Sequence, residues 1–189
     1  MRYVALVLVV VLGSCAGDGN RPSNIDNACV IKSEKPRWYA ATRAAESRWG
    51  IPPHVQLATM YYESKFRSDA RTRREYLFGF IPKGRQSSAY GFSQALDATW
   101  DWYRDETGRR SADRDDFSDS TDFMGWYMDQ SFQRNGIAKD DAYNQYIAYH
   151  EGHTGFANGN HLNDSFVRNY ARRVQDKADE YEGQLARCA

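Results

Sequence analysis

The chain has 189 residues, with 25 Lys and Arg against 25 Asp and Glu and a formal net charge of zero at pH 7. That balance lacks the basic excess of a nucleic-acid partner, and three widely spaced cysteines form no Cys-x-x-Cys metal or redox motif. Trp, Tyr and Phe make up 14% of the residues, more than core filling usually demands, and suit an aromatic-lined cleft.

The N-terminus reads as an export signal. Arg2 precedes a ten-residue apolar run, Tyr3 to Leu12. A membrane-spanning helix needs about 20 residues, so this run fits the core of a signal peptide instead. Leu12-Gly13-Ser14-Cys15 resembles the bacterial lipoprotein box, in which the cysteine is lipidated and becomes the first residue. The alternative is an ordinary secretory signal with Cys15 incidental. By the same resemblance Ala16, where an Asp would retain the protein at the inner membrane, points to the periplasmic face of the outer membrane. The expected organisation is a signal over 1–14, a lipidated start and polar tether over 15–34, and one domain over 35–189. In an exported chain Cys29 and Cys188 pair most simply as a disulfide, the alternative being two free thiols.

Downstream the pattern is helical. A first helix is expected from about Lys35 to Trp49, with Gly50 as its cap. Gly50-Ile51-Pro52-Pro53 opens a second, because prolines near the first turn forgo only N–H groups that lack partners anyway. Glu63 falls late in this helix among Met60, Tyr61, Tyr62 and Phe66. A carboxyl held against apolar surface has its charged form disfavoured, so its pKa should rise toward that of a general acid. The bland alternative is a solvated Glu on the polar face. Residues 68–89 mix Arg71, Arg73, Arg74, Lys83 and Arg85 with Tyr76, Phe78 and Phe80. They read as a cleft wall containing a short strand or hairpin, or as a solvated basic loop. Further helices are expected over Asp97–Thr107 and from about Ser120 to Arg134, the latter with Phe132 facing inward. Another runs through Tyr143, Tyr146 and Tyr149. A loop is expected over 151–163, then a last helix over Asp164–Leu185 with Phe166 on its apolar stripe. The class is all-α, with a minor β-excursion near residues 76–92.

Three motifs stand in order: Glu63-Ser64 closing a helix, Tyr90-Gly91-Phe92-Ser93-Gln94, and Ala148-Tyr149-His150-Glu151-Gly152. Together they resemble the catalytic domain of the soluble lytic transglycosylases, lysozyme-like enzymes that cleave peptidoglycan glycan strands. Two places depart from the family pattern, Ser93 for the usual Met and His150 for the usual Asn. The resemblance implies that Glu63 protonates the glycosidic oxygen. Its carboxylate then takes the proton of the muramic acid 6-hydroxyl, which closes a 1,6-anhydro ring, so no second carboxylate is required. It also implies that Tyr149 hydrogen-bonds near Glu63 as a further catalytic residue. Ser64, Tyr90, Gly91 and Gln94 would bind substrate, Gly91 by letting the backbone approach the glycan, while Ser64 could instead assist the Glu and Gln94 could contact the cleft backbone. Ser64 bonding a backbone carbonyl and Tyr149 as core are the plain alternatives. His150, Glu151 and His153 are one residue short of His-Glu-x-x-His, so no metal is expected, and no cofactor. The implied partners are glycan strands and, through the lipid, a membrane, with the protein a monomer. Two rivals remain. One is a hydrolytic muramidase of the goose-type-lysozyme kind, with a second acid among Asp69, Glu75, Asp97, Asp101 and Glu151. The other is a non-catalytic cell-wall-binding lipoprotein.

Overall fold

A computed structural model describes residues 21–78 and 80–188; the signal and the first six residues of the expected tether, Cys15 among them, lie outside the described residues. Seven helices carry the fold: α1 Ala28–Glu34, α2 Pro36–Trp49, α3 Pro53–Ser64, α4 Asp97–Thr107, α5 Phe117–Asn135, α6 Ala142–Ala157 and α7 Ser165–Arg187. Two short strands, β1 Arg74–Leu77 and β2 Ile81–Arg85, form an antiparallel hairpin with a bulge at Glu75/Tyr76.

Local sequence accounts for most of the boundaries. Gly50, Gly108 and Gly136 end α2, α4 and α5 in the left-handed conformation that costs glycine least. Asp116, Asp141 and Asp164 accept the first free backbone N–H groups of α5, α6 and α7. In α7 the buried residues Val167, Ala171, Val174, Ala178 and Tyr181 recur every three or four positions, the stripe that seats it against α3 and α6.

Four expectations are corrected. Residues 28–34, placed in the tether, form α1, because Ala28 and Ile31 are fully buried and Asn27 caps the helix. The loop expected from residue 151 is a continuation of α6 to Ala157, interrupted at Gly152 by φ 75° and ψ 159°. Phe132 and Phe166 are exposed rather than inward-facing.

Trp38 is the centre of the core. Its indole stacks on Phe117 at 4.2 Å between ring centroids and on Phe66 at 6.2 Å, with Phe92 edge-on at 5.3 Å. One side chain of α2 thus holds the residue just beyond α3, the Gly91-Phe92 turn and the start of α5 in one cluster. At the end of α2, the buried carboxylate of Asp122 accepts hydrogen bonds from Trp49 Nε1 (3.0 Å), Tyr103 (2.7 Å) and Arg48. It fastens α2 and α4 to α5, and these donors satisfy a charge that would otherwise be costly to bury.

The two ends of the described chain are clasped together. Cys29 and Cys188 are disulfide-bonded, with their Cα atoms 5.8 Å apart. Lys32 Nζ donates to the Cys188 carbonyl (2.7 Å), Gln184 Oε1 accepts from the Ala28 N–H (2.6 Å), and Lys177 pairs with Asp26. The bond closes a loop with a sequence separation of 159, for which the chain-entropy argument gives about 4–5 kcal/mol. Reduction, or paired Cys29→Ser and Cys188→Ser changes, should lower unfolding stability by up to that amount in denaturant titrations while leaving the helical circular-dichroism spectrum in place.

Candidate active site

Helix α3 stops immediately after Glu63-Ser64. Lys65 and Phe66 both take left-handed backbone angles, φ 54° and 57°, a conformation that costs non-glycine residues roughly 1 kcal/mol or more each. Two contacts hold them there. The Lys65 N–H caps the Tyr61 carbonyl (3.2 Å), and the Phe66 ring is fully buried in the Trp38 cluster. The abrupt stop leaves Glu63 at the helix end, facing a cleft of about 250 Å³ lined by Tyr62, Tyr146, His150, Phe166, Val167 and Tyr170. The immediate walls at Glu63 therefore come from α6 and α7, not from residues 68–89.

Most of the cleft lining is aromatic. Tyr170 stacks on Tyr146 at 5.7 Å and meets Tyr62 edge-on at 5.2 Å and Phe166 at 5.8 Å. Glu63 is half-buried among these rings. Desolvation raises its carboxyl pKa from 4.5 to about 8, against a smaller lowering by the hydrogen bond from Tyr146. The negative end of the α3 dipole acts in the same direction as burial. Burial also raises the phenol pKa values of Tyr146 and Tyr149, and the Glu63 charge adds to both. At pH 7 this carboxyl is mostly protonated and the tyrosines around it are neutral donors.

The other residues drawn from the motifs divide differently. Tyr149 lies in the electrostatic range of Glu63, but its hydroxyl donates to the Ser93 carbonyl at 2.6 Å. That bond joins the third motif to the second. Tyr149 also lines a neighbouring recess of about 220 Å³ with Gln94, Tyr127, His150 and Glu151, so His150 borders both spaces. Gln94, at φ 52°, sends Nε2 to the Ala70 (2.9 Å) and Gly91 (2.8 Å) carbonyls, holding the cleft backbone. Ser64 is buried and donates to the Met60 carbonyl (3.3 Å); it does not face the cleft. Gly91 is also buried. Its φ is 77°, and a Cβ there would stand 1.9 Å from the Arg114 carbonyl oxygen, so its close backbone approach is to the protein rather than to glycan. Tyr90 donates to Asp115 (3.0 Å) and carries the Arg71 guanidinium on its ring at 4.0 Å.

Tyr146 is the site residue that motif matching misses. It stands three residues before Tyr149 on α6, outside the third motif, and only helical spacing would have put both on adjoining faces. His153 is held by Ser131 Oγ (3.1 Å) and stacks on Tyr127 at 4.3 Å. Among the described residues no group of three or more His, Cys, Asp or Glu is arranged to hold a metal. A larger cavity of about 730 Å³, lined by Arg37, Trp38, Asp113 and Asp116, shares no lining residue with the Glu63 cleft.

A family model described as the transglycosylase SLT domain matches residues 3–188. The chain belongs to that family. The mostly-α architecture with a minor hairpin fits its lysozyme-like fold, and membership brings lytic transglycosylase activity in general and peptidoglycan as the substrate. The search of curated proteins found no match.

Two outcomes follow for Glu63. Its folded-state pKa lies above its unfolded value, so its contribution to stability is fully present below pH 4.5 and is lost as pH rises toward about 8. Glu63→Gln should therefore stabilise the fold by on the order of 2 kcal/mol at pH 7 and by almost nothing at pH 4, as read by thermal unfolding across pH. Tyr146→Phe removes a bond that favours the ionised carboxyl. The alkaline limb of the pH–rate profile should move to higher pH, and kcat should fall by at least about tenfold.

Proposed function

We propose that the protein is a lytic transglycosylase that cleaves the MurNAc-β-1,4-GlcNAc bond of peptidoglycan with Glu63 as its single general acid and base. The observation that carries this reading is a carboxyl raised to about 8 at the mouth of an aromatic cleft. A group with that pKa holds a proton at neutral pH and can deliver it to the glycosidic oxygen. Once ionised among apolar rings it is a strong enough base to remove a hydroxyl proton. The muramic acid 6-hydroxyl gives up that proton as its oxygen bonds to C1. The leaving sugar departs with the first proton, no water is consumed, and Glu63 ends protonated. The internal nucleophile is already near C1, which removes the need to hold a water. Tyr146 would orient the carboxyl and steady its ionised form. Tyr149 would hold the second motif against the third through Ser93. The chemistry calls for no metal or cofactor.

A hydrolytic reading has one specific support, Glu151, which borders the recess adjoining Glu63 and pairs with His150 at 3.3 Å. The other four acids sit in exposed pairs with Arg67, Lys83, Arg114 and Arg104. Lipidation at Cys15, and with it the periplasmic face of the outer membrane, belongs to this proposal on sequence grounds.

The test uses residues 16–189, which contain every described element, incubated with purified sacculi beside the Glu63→Gln variant. Mass spectrometry should find muropeptides ending in 1,6-anhydro-muramic acid, absent with the variant. Products heavier by one water would establish a hydrolase and direct attention to Glu151. No release by a folded wild-type protein would favour the cell-wall-binding alternative.

A further inference from the structure

The β1–β2 hairpin does none of the work described above, and its composition is unusual for a surface. Phe78 is 80% exposed, Phe80 74%, Tyr76 50%, Leu77 49% and Ile81 45%. Five large apolar side chains crowd the tip of a two-stranded ribbon that projects from an otherwise well-packed domain. Isolated exposed apolar residues need no explanation, but a contiguous group of this size usually marks a contact. Behind the tip stand Arg71, Arg73, Arg74, Lys83 and Arg85 against Glu75 alone, and Glu75 is already engaged by Lys83 (3.6 Å) and Gln86 (3.2 Å).

An anionic surface is the occupant that this excess of cations behind an apolar tip selects, and the start of the described chain lies at the same end of the domain. Segment 21–27 crosses the C-terminal turn of α3. There Tyr61 hydrogen-bonds Asp26, and Lys65 Nζ sits 3.4 Å from the centre of the Tyr61 ring. The hairpin leaves this same end of α3, since Arg71 follows Lys65 by six residues. Cys15 precedes Arg21 by six residues, which span at most about 20 Å. The ribbon from Arg71 to Phe78 reaches about 23 Å at strand rise. A lipid on Cys15 and the hairpin tip can thus meet one bilayer.

We propose that the hairpin is a membrane-contact site, with Phe78 and Phe80 entering the interfacial layer of an anionic phospholipid bilayer and the flanking arginines and lysine meeting its headgroups. Aromatic and aliphatic residues backed by cations are the chemistry of that layer. Glycan and small-molecule sites are concave and bury their ligand, whereas the side chains here stand 45–80% exposed. The contact gives a lipid-held domain a defined orientation, with the Glu63 end of α3 near the membrane. That orientation rests on the lipid-anchor reading of Cys15; the contact itself does not.

Unlipidated residues 16–189 should co-sediment with phosphatidylcholine vesicles containing roughly a third phosphatidylglycerol and much less with phosphatidylcholine alone. Phe78→Ser combined with Phe80→Ser should weaken that partitioning by roughly tenfold or more, with unchanged thermal unfolding and unchanged digestion of sacculi in solution. The proposal is overturned if the wild type ignores anionic vesicles, if the double variant binds them equally, or if the variant loses binding to sacculi while keeping vesicle binding. Vesicles carry no glycan, so none of these readings depends on the transglycosylase chemistry.

Discussion

A carboxyl that stays protonated at neutral pH is the constraint around which this molecule is built. Glu63 gains that state from its place, half-buried among Tyr62, Tyr146 and Tyr170 at the negative end of a helix. Ions are costly to bury, and here the protein lets the group neutralise rather than supplying a counter-charge. No lysine or arginine is among the residues lining its cleft. A cation there would restore ionisation and remove the acid. The hydrogen bond from Tyr146 opposes burial and lowers the carboxyl pKa only partly.

Holding that carboxyl in place requires α3 to end one residue later, and the sequence achieves this without a glycine. Two consecutive left-handed residues, Lys65 and Phe66, turn the chain sharply. The burial of the Phe66 ring against Trp38 offsets their strain. Because Trp38 also contacts Phe92 and Phe117, the turn after the catalytic candidate and the turn of the second motif are positioned by the same indole. Tyr149 then joins the second motif to the third through the Ser93 carbonyl. The three motifs act mainly as one scaffold, with Glu63 as its product.

This explains which parts of the protein could be read from its sequence. Helices α2, α3, α4 and α7 were legible because apolar spacing, prolines at helix starts and glycines at helix ends agree with one another. Helix α1 was hidden in a polar stretch, since only Ala28 and Ile31 are buried in it and the disulfide and α7 supply the rest of its support. The extension of α6 past Gly152 was hidden because a glycine that ends a helix and one that bends it look alike in sequence. Ser64, Gly91 and Gln94, named by resemblance, are each engaged with backbone, which no motif match could show. Tyr146 belongs to no motif; helical spacing from Tyr149 is its one sequence signal, and the packing of α3 against α6 is what brings it to Glu63.

The site draws down stability, and the rest of the fold is arranged to supply it nearby. A carboxyl that ionises freely in the unfolded chain but not in the folded one penalises folding at neutral pH, and the left-handed pair adds to that penalty. The strongest long-range constraint in the described chain lies along the helix that backs this region. The Cys29–Cys188 bond, the Lys177–Asp26 pair and the Tyr181 hydroxyl donating to the Ile25 carbonyl fasten the start of the domain to α7. Helix α7 in turn packs along α3 and carries Phe166, Val167 and Tyr170 into the cleft. The clasp holds the far end of α7, whose opening turns supply the cleft wall, so the helix that borders Glu63 is fixed to the start of the domain at its other end.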